Sequence, residues 1–239
     1  MRYSTSAALL STLFMTSSVL AWDNTPPIAD MYPGNKLGQG GNKYGIDIEL
    51  IYDLTCSGCQ AHHPEFLEFL DMPFLDGTYK DAVKVRYAFF PLPYHHGSWI
   101  VARLIPILSD KCYAGTKDCK YLDYIAFALK NQDLMLEATD KTENQLIDYW
   151  VGLVATEFGL NKDELKGVYN RDTDPHNSEL RARYLWKYAA SRVVASTPSA
   201  FVNGVKLSNP PSSAQEWAQL VGETYYTRRN TVKRPTESL

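Results

Sequence analysis

The sequence predicts an α/β fold with a long helical stretch set into it, on three observations. A strand, a helix and a second strand can be read in order between Gly45 and Leu92. From His95 to Asp174 the apolar residues recur at helical spacing instead. After Thr197 a hairpin and a closing helix complete the chain. With 239 residues, 45% of them hydrophobic and 21% charged, the chain is long enough to bury a sizeable core.

The leading "MRYSTSAALLSTLFMTSSVLA" places one base, Arg2, before an apolar run, with Val19 and Ala21 as small residues at a cleavage point. Residues 1–21 read as a secretory signal peptide. The run is shorter than the ~20 apolar residues an anchor needs and is broken by Ser and Thr, so no membrane anchor is expected. Cleavage removes Arg2 and no acid, leaving 23 bases (24 − 1) against 27 acids, a net charge of −4. That balance excludes a nucleic-acid partner recognised through a basic face. Export favours disulfides, yet four cysteines are few for this length, so core packing must hold the fold.

Residues 22–42 are rich in Gly, Pro and Asn and read as a lead-in arm in which only Ile28 to Tyr32 resembles a short edge element. "GIDIELIYDL" has the β-branched and apolar content of a strand. Cys56-Ser57-Gly58-Cys59 follows, with Pro64 expected to kink the next helix or to start a second segment. "DAVKVRYAFFPL" alternates Val83, Val85 and Tyr87 with Lys84 and Arg86 and ends at Pro91. Helices are then read around Trp99 to Leu108, Tyr121 to Leu129 and Leu146 to Phe158, with Pro106 breaking the first. Asp174 and Pro175 are placed to cap and open a helix on which Leu180, Tyr184 and Tyr188 recur. "AFVNGVKL" reads as a hairpin turning at Asn203-Gly204, and Ser213 with Glu216 as a capping box for a last helix. From Tyr226 the chain is polar and basic and is read as a disordered tail.

A CxxC between a strand and a helix suits redox chemistry. The helix N-terminus offers free N–H groups and partial positive charge, which stabilise a thiolate on Cys56. Two small residues let the sulfurs meet, and Cys59, inside the helix, is the natural resolving thiol. Cys56, Cys59, His62 and His63 could also be drawn as a zinc set, but His62 follows Cys59 too closely and adjacent helical histidines point ~100° apart, so no metal is expected. His95 and His96 read as loop-packing or capping residues, and Trp99, Tyr184 and Trp186 as core. Cys112 and Cys119 enclose "YAGTKD", too wide for a second CxxC turn, and read as a structural disulfide.

The strand, the CxxC, the helix with Pro64, and the distant Thr197-Pro198 opening an "AFVNG" hairpin together resemble the thioredoxin superfamily. Within it, "FFPLPYHHGSW", the helical stretch and "TPSAFVNGV" are similar to the DsbA-like branch, over roughly Lys43 to Thr224. The resemblance implies a thioredoxin-like fold, a central mixed sheet flanked by helices, with an α-helical insertion. Residues 43–94 and 176–225 would form its two parts, residues 95–175 the insertion and residues 226–239 the tail. It also implies a cis bond at Thr197-Pro198, beside the CxxC, presenting backbone to an extended substrate.

The function so implied is thiol-disulfide exchange with cysteine-containing proteins or peptides, with no dissociable cofactor and a redox partner the sequence does not identify. Cys56 and Cys59 would be catalytic and Thr197 and Pro198 substrate-binding, in the secretory pathway or outside the cell, with periplasm or endoplasmic reticulum lumen as alternatives. Two departures qualify the resemblance. Where many relatives place a buried acid six residues before the first cysteine stands Leu50, and Glu49 and Asp53 face differently on the strand. Gly58 stands where the strongest oxidants carry histidine, so a milder oxidant is expected, with a potential of about −180 to −270 mV against about −120 mV, and Gly58→His should raise it. Leu50 favours the alternative of a redox-silent peptide-binding or chaperone-like protein.

Overall fold

The structure, a computed structural model, describes residues 36–37, 43–115 and 117–232. The leader and the Ile28 to Tyr32 element lie outside the described residues. The central strand is β2 (Ile46–Tyr52), with 0 to 1% exposure at Ile46, Ile48, Leu50, Ile51 and Tyr52, which suits its β-branched and apolar sequence. Helix α1 (Ser57–Asp71) follows. A short hairpin, β3 (Pro73–Phe74) and β4 (Gly77–Thr78), and one helical turn, α2 (Tyr79–Ala82), lead to β5 (Val83–Phe89). Because α1 crosses over between them, β2 and β5 pair in parallel, with Leu50 opposite Tyr87. A two-residue strand, β1 (Lys36–Leu37), runs antiparallel along the outer side of β5.

Helices fill the next segment: α3 (Ser98–Ala102), α4 (Ile105–Tyr113), α5 (Tyr121–Lys130), α6 (Asp133–Leu136), α7 (Glu143–Phe158) and α8 (Lys162–Gly167). Pro106 sits in the first turn of α4, where its missing N–H costs nothing, and α3 ends before it. Helix α9 (Ser178–Ser191) precedes β6 (Ser199–Val202) and β7 (Val205–Lys206), and α10 (Ala214–Val232) closes the chain. The main sheet has the order β1-β5-β2-β6-β7, with β6 antiparallel to β2. This is the mixed sheet with a helical insertion that the sequence implies.

Alternation along the strands divides the core between two faces. Ile48, Leu50, Tyr52, Val85, Tyr87 and Phe89 pack under α1 and α10 through Phe66, Phe69, Trp217 and Val221, continuous with Tyr124 and Trp150 of the insertion. Ile51, Ala88, Phe90 and Phe201 face the other way, against Ala189 and Val194. Helix α9 buries small residues, Ser178, Ala182 and Ala189. The expected apolar face was misplaced there: Leu180 is exposed, and Trp186 lies over Phe90 at 5.3 Å rather than in the core.

Other expectations need correction at their ends. Helix α1 runs unbroken through Pro64, which lies on its exposed side. Helix α9 starts at Ser178, after a turn in which Asp174 accepts from the backbone N–H groups of His176 and Ser178. The carboxylate still serves the helix start, from outside it. Ser213 accepts from the Glu216 N–H, but the Glu216 carboxylate turns to Ser212. Helix α10 continues past Tyr226 to Val232, so the tail read as disordered is helical that far, and residues 233–239 lie outside the described residues. Among the described residues no helix is long and apolar enough to cross a membrane.

Cys112, at the end of α4, is bonded to Cys119, just before α5, across a sequence separation of 7. Closing so short a loop is worth about 2 to 3 kcal/mol. Replacing both by serine is expected to lower the melting temperature by about 5 to 10 °C and to leave thiol-disulfide exchange intact below it. Peptide mapping that finds either cysteine bonded to Cys56 or Cys59 in the resting protein would refute this pairing.

Candidate active site

Cys56 occupies the N-cap of α1, with extended backbone at φ −92° and ψ 124°. Its N–H donates to the Asp53 carbonyl at 3.1 Å, and its carbonyl accepts from Gln60, so strand and helix are joined by the four-residue turn Asp53 to Cys56. Cys59 lies one turn inside α1 and is fully buried. Both are free thiols. From the far side comes the loop before β6, where Thr197-Pro198 is cis, and the Cys56 thiol donates to the Thr197 carbonyl at 3.3 Å. The structure therefore brings Cys56, Cys59, Thr197 and Pro198 to one place.

The two thiols differ sharply. The Cys59 thiol, then the nearby Thr197 side chain and the N–H groups of Cys59 and Gly58, favour a Cys56 thiolate and, against partial burial, bring its pKa down to about 5. Burial, and the hydrogen bond given to Cys56, push Cys59 well above the ordinary thiol range. The sequence pointed to the N–H groups at the helix start and missed the larger contributor, the partner thiol. It could have been anticipated from the motif, because a second cysteine one turn along must share its proton with the first.

Gly58 also reads differently in space. A Cβ there would meet Pro198 Cδ at 3.1 Å and the Cys56 sulfur at 3.6 Å. A side chain at 58 makes Pro198 give by a few tenths of an ångström beside the Cys56 sulfur, so Gly58→His does not isolate a charge effect as the sequence suggests. Ser57, by contrast, is exposed.

Asp53 is the site residue whose part the sequence did not reveal. Its side chain is 1% exposed and accepts five hydrogen bonds. Oδ1 takes Thr55 N at 2.9 Å, the Thr55 hydroxyl at 2.9 Å and the Ser98 hydroxyl at 2.5 Å. Oδ2 takes Leu92 N at 2.9 Å and His95 Nδ1 at 2.6 Å. The carboxylate so ties the CxxC turn to the loop after β5 and to the start of α3. His95 is thereby a loop-packing residue, as expected, while His96 is exposed. Glu49 is buried on the other face, paired with Arg192, whose guanidinium lies over Phe201 at 3.6 Å. Leu50 is fully buried.

His62 and His63 point into the core. Trp217 Nε1 donates to His62 Nε2 at 3.2 Å, and His62 Nδ1 meets the Tyr52 hydroxyl at 2.5 Å. Both ring nitrogens are occupied, which leaves no lone pair for a metal. Among the described residues no three His, Cys, Asp or Glu side chains gather as ligands.

No protein-family model and no curated protein sequence matches the chain. Solved structures do. The chain is similar to the DsbA of Chlamydia trachomatis with a TM-score of 0.60 at 13% identity, covering 86% of this chain and 98% of that one. It is similar to the α-DsbA1 of Wolbachia pipientis with a TM-score of 0.59 at 15% identity, covering 85% and 96%. A thioredoxin-like oxidoreductase from Silicibacter pomeroyi gives 0.54 at 17% identity, covering 82% and 92%. At such identities the likeness shows the fold alone, a thioredoxin-like one.

Proposed function

We propose that this protein is a thiol-disulfide oxidoreductase of the secretory route, exchanging disulfides with cysteine-containing proteins or peptides through Cys56 and Cys59. The observation that carries the reading is the asymmetry of the pair: one thiol at the N-cap of a helix, 7% exposed and with its pKa lowered to about 5, the other fully buried one turn inside with its pKa raised. Only a thiolate attacks a disulfide, so Cys56 is ready at neutral pH while Cys59 is held in reserve. Cys56 attacks a substrate disulfide, or a substrate thiolate attacks the Cys56–Cys59 disulfide. Either way a mixed disulfide at Cys56 is the intermediate. Thr197 and Pro198 receive the substrate as an extended segment that adds its backbone to the loop. Secretion rests on the leader sequence, and the names of the similar solved structures, which mention DsbA or an oxidoreductase, are in keeping with the chemistry.

Thiolate absorbance of the reduced protein should titrate with a midpoint near pH 5, the value to which Cys56 is lowered. The sign follows for stability. A thiol whose folded pKa lies below its ordinary value of 9.0 stabilises the reduced fold fully above pH 9 and loses that contribution as pH falls towards 5. Reduced protein should thus melt progressively higher between pH 5 and 8, relative to oxidised protein. A thiolate pKa near 5 lies between those near 7 and near 3.5 that accompany potentials of about −270 and −120 mV, which places the potential between them. Glutathione equilibration measures it. The redox-silent binder remains the second reading, favoured by the apolar Leu50 where a proton acceptor is wanted. A Cys56–Cys59 pair that glutathione does not reduce would decide for it.

A further inference from the structure

A fully buried thiol cannot act until its proton has somewhere to go. Neither nearby acid offers a place: Glu49 lies on the opposite face with Arg192, and both Asp53 oxygens are filled by five donors. The face of the sheet beneath α1 presents Leu50 instead, and beside Leu50 in the register stands Tyr87. The Tyr87 hydroxyl is buried with no hydrogen-bond partner, and so is Nδ1 of His63. Unpaired polar atoms in a core are costly, and two of them in one place call for a reason.

His63 follows Cys59 by one helical turn on the same buried side of α1. Helical side chains lean towards the N-terminus, so its ring is carried back over the turn that holds Cys59. Tyr52 and Tyr87 enclose that ring at 5.8 and 6.0 Å. Burial lowers its pKa to about 4, so it is a neutral base at working pH. The neighbouring His62 is not equivalent. An indole N–H only donates, so the bond from Trp217 takes the lone pair of Nε2, and Nδ1 must carry the proton it shares with Tyr52. This arrangement also frees the Tyr52 O–H to point elsewhere within the cluster.

We propose that His63 is the proton acceptor for Cys59, with the hydroxyls of Tyr87 and Tyr52 as the dipoles that accommodate the charge. The proposal rests on the exchange reading above. In the mixed disulfide, Cys59 gives its proton to the imidazole, and its thiolate attacks the Cys56 sulfur. The Cys56–Cys59 bond forms, the bond from Cys56 to the substrate sulfur breaks, and the electron pair leaves on that sulfur. The imidazolium then returns the proton to the departing thiolate. No net charge enters the core, because thiolate and imidazolium arise together as a pair. The titratable groups around His63 are Tyr52 on β2 and Tyr87 on β5, whose rings pack against it, with His62 beside it and Cys59 one turn before it on the buried side of the same helix. All are uncharged in the resting state, so none competes for the role.

The test follows a fluorescent peptide disulfide through the two steps in the full chain: capture by Cys56, then release by Cys59. His63→Gln should leave capture within about twofold and slow release by about a hundredfold, the lower end for removal of an acid–base group. Release by wild type should be nearly flat from pH 6 to 8. In His63→Gln it should rise about tenfold per pH unit, because hydroxide must then take the proton. Unchanged release with an unchanged pH slope would overturn the proposal, as would equal slowing of both steps. Should His63→Gln fail to fold, Tyr87→Phe decides, since it removes only an unpartnered hydroxyl: release slowed several-fold at an unchanged melting temperature supports the proposal, and unaltered release overturns it. If wild type forms no mixed disulfide at Cys56, it is the exchange reading that fails.

Discussion

Cys56→Ser is expected to reduce exchange to the uncatalysed background, while Cys59→Ser captures substrate and does not let it go. The reason is the division of labour between the two sulfurs. Cys56 alone has a thiolate stabilised at neutral pH, and only Cys59 is placed to displace a substrate from it. Non-reducing gels and intact mass should show the Cys59→Ser protein carrying one substrate per chain, released by dithiothreitol, and the Cys56→Ser protein carrying none. Cys59 also matters before any substrate arrives, since its thiol is the largest contributor to the lowered pKa of Cys56. Cys59→Ala should therefore raise the thiolate midpoint from about 5, and Cys59→Ser, which keeps a donor, should raise it less. Exchange by Cys56→Ser at wild-type rates would show that the nucleophile has been misassigned.

Asp53→Ala should cost about 3 to 5 kcal/mol, the range for removing one partner from a buried charged network. The loss follows from what the carboxylate leaves behind. The N–H groups of Thr55 and Leu92 and the hydroxyl of Ser98 would all be stranded in a buried place, and the His95 imidazole would lose the carboxylate that holds it. Converted at about 2 to 4 °C per kcal/mol, the melting temperature should fall by at least about 6 °C. Exchange should suffer as well, because Thr55 immediately precedes Cys56 and the turn would lose its brace. A melting shift under about 2 °C would mean that the loop after β5 is held by its apolar contacts alone.

The parts of the fold legible in the sequence were those set by local chemistry. The β-branched run of β2, the alternation of β5 and the Asn203-Gly204 turn could be placed because backbone preference and burial agree there. Both turn residues indeed take positive φ, 49° and 82°. The short hairpin β3-β4 and the single turn α2 were not foreseen: strands of two residues carry no period to read. On α9 the large residues Leu180, Tyr184 and Tyr188 mark the expected face; Tyr188 does pack against the sheet cluster, but the fully buried positions are the small Ser178, Ala182 and Ala189. At the site, the cysteines and Thr197-Pro198 were legible as motifs. Asp53 was judged only as a substitute for the missing acid, and its five donors come from residues up to 45 positions away, which no local pattern shows.

The bond between Cys56 and the Thr197 carbonyl spans 141 positions, and β6, which completes the sheet beside β2, is likewise made near the end of the chain. During synthesis the reactive thiol therefore emerges long before the loop beside which it will work. The helix start and the second cysteine are close neighbours of Cys56 and travel with it, so most of what lowers its pKa is local, with Thr197 the distant exception. The selectivity of Cys56 is not: it waits on closure of a long loop, a step that is slow relative to helix formation. For that interval the growing chain holds Cys56 without the loop that will later lie beside it.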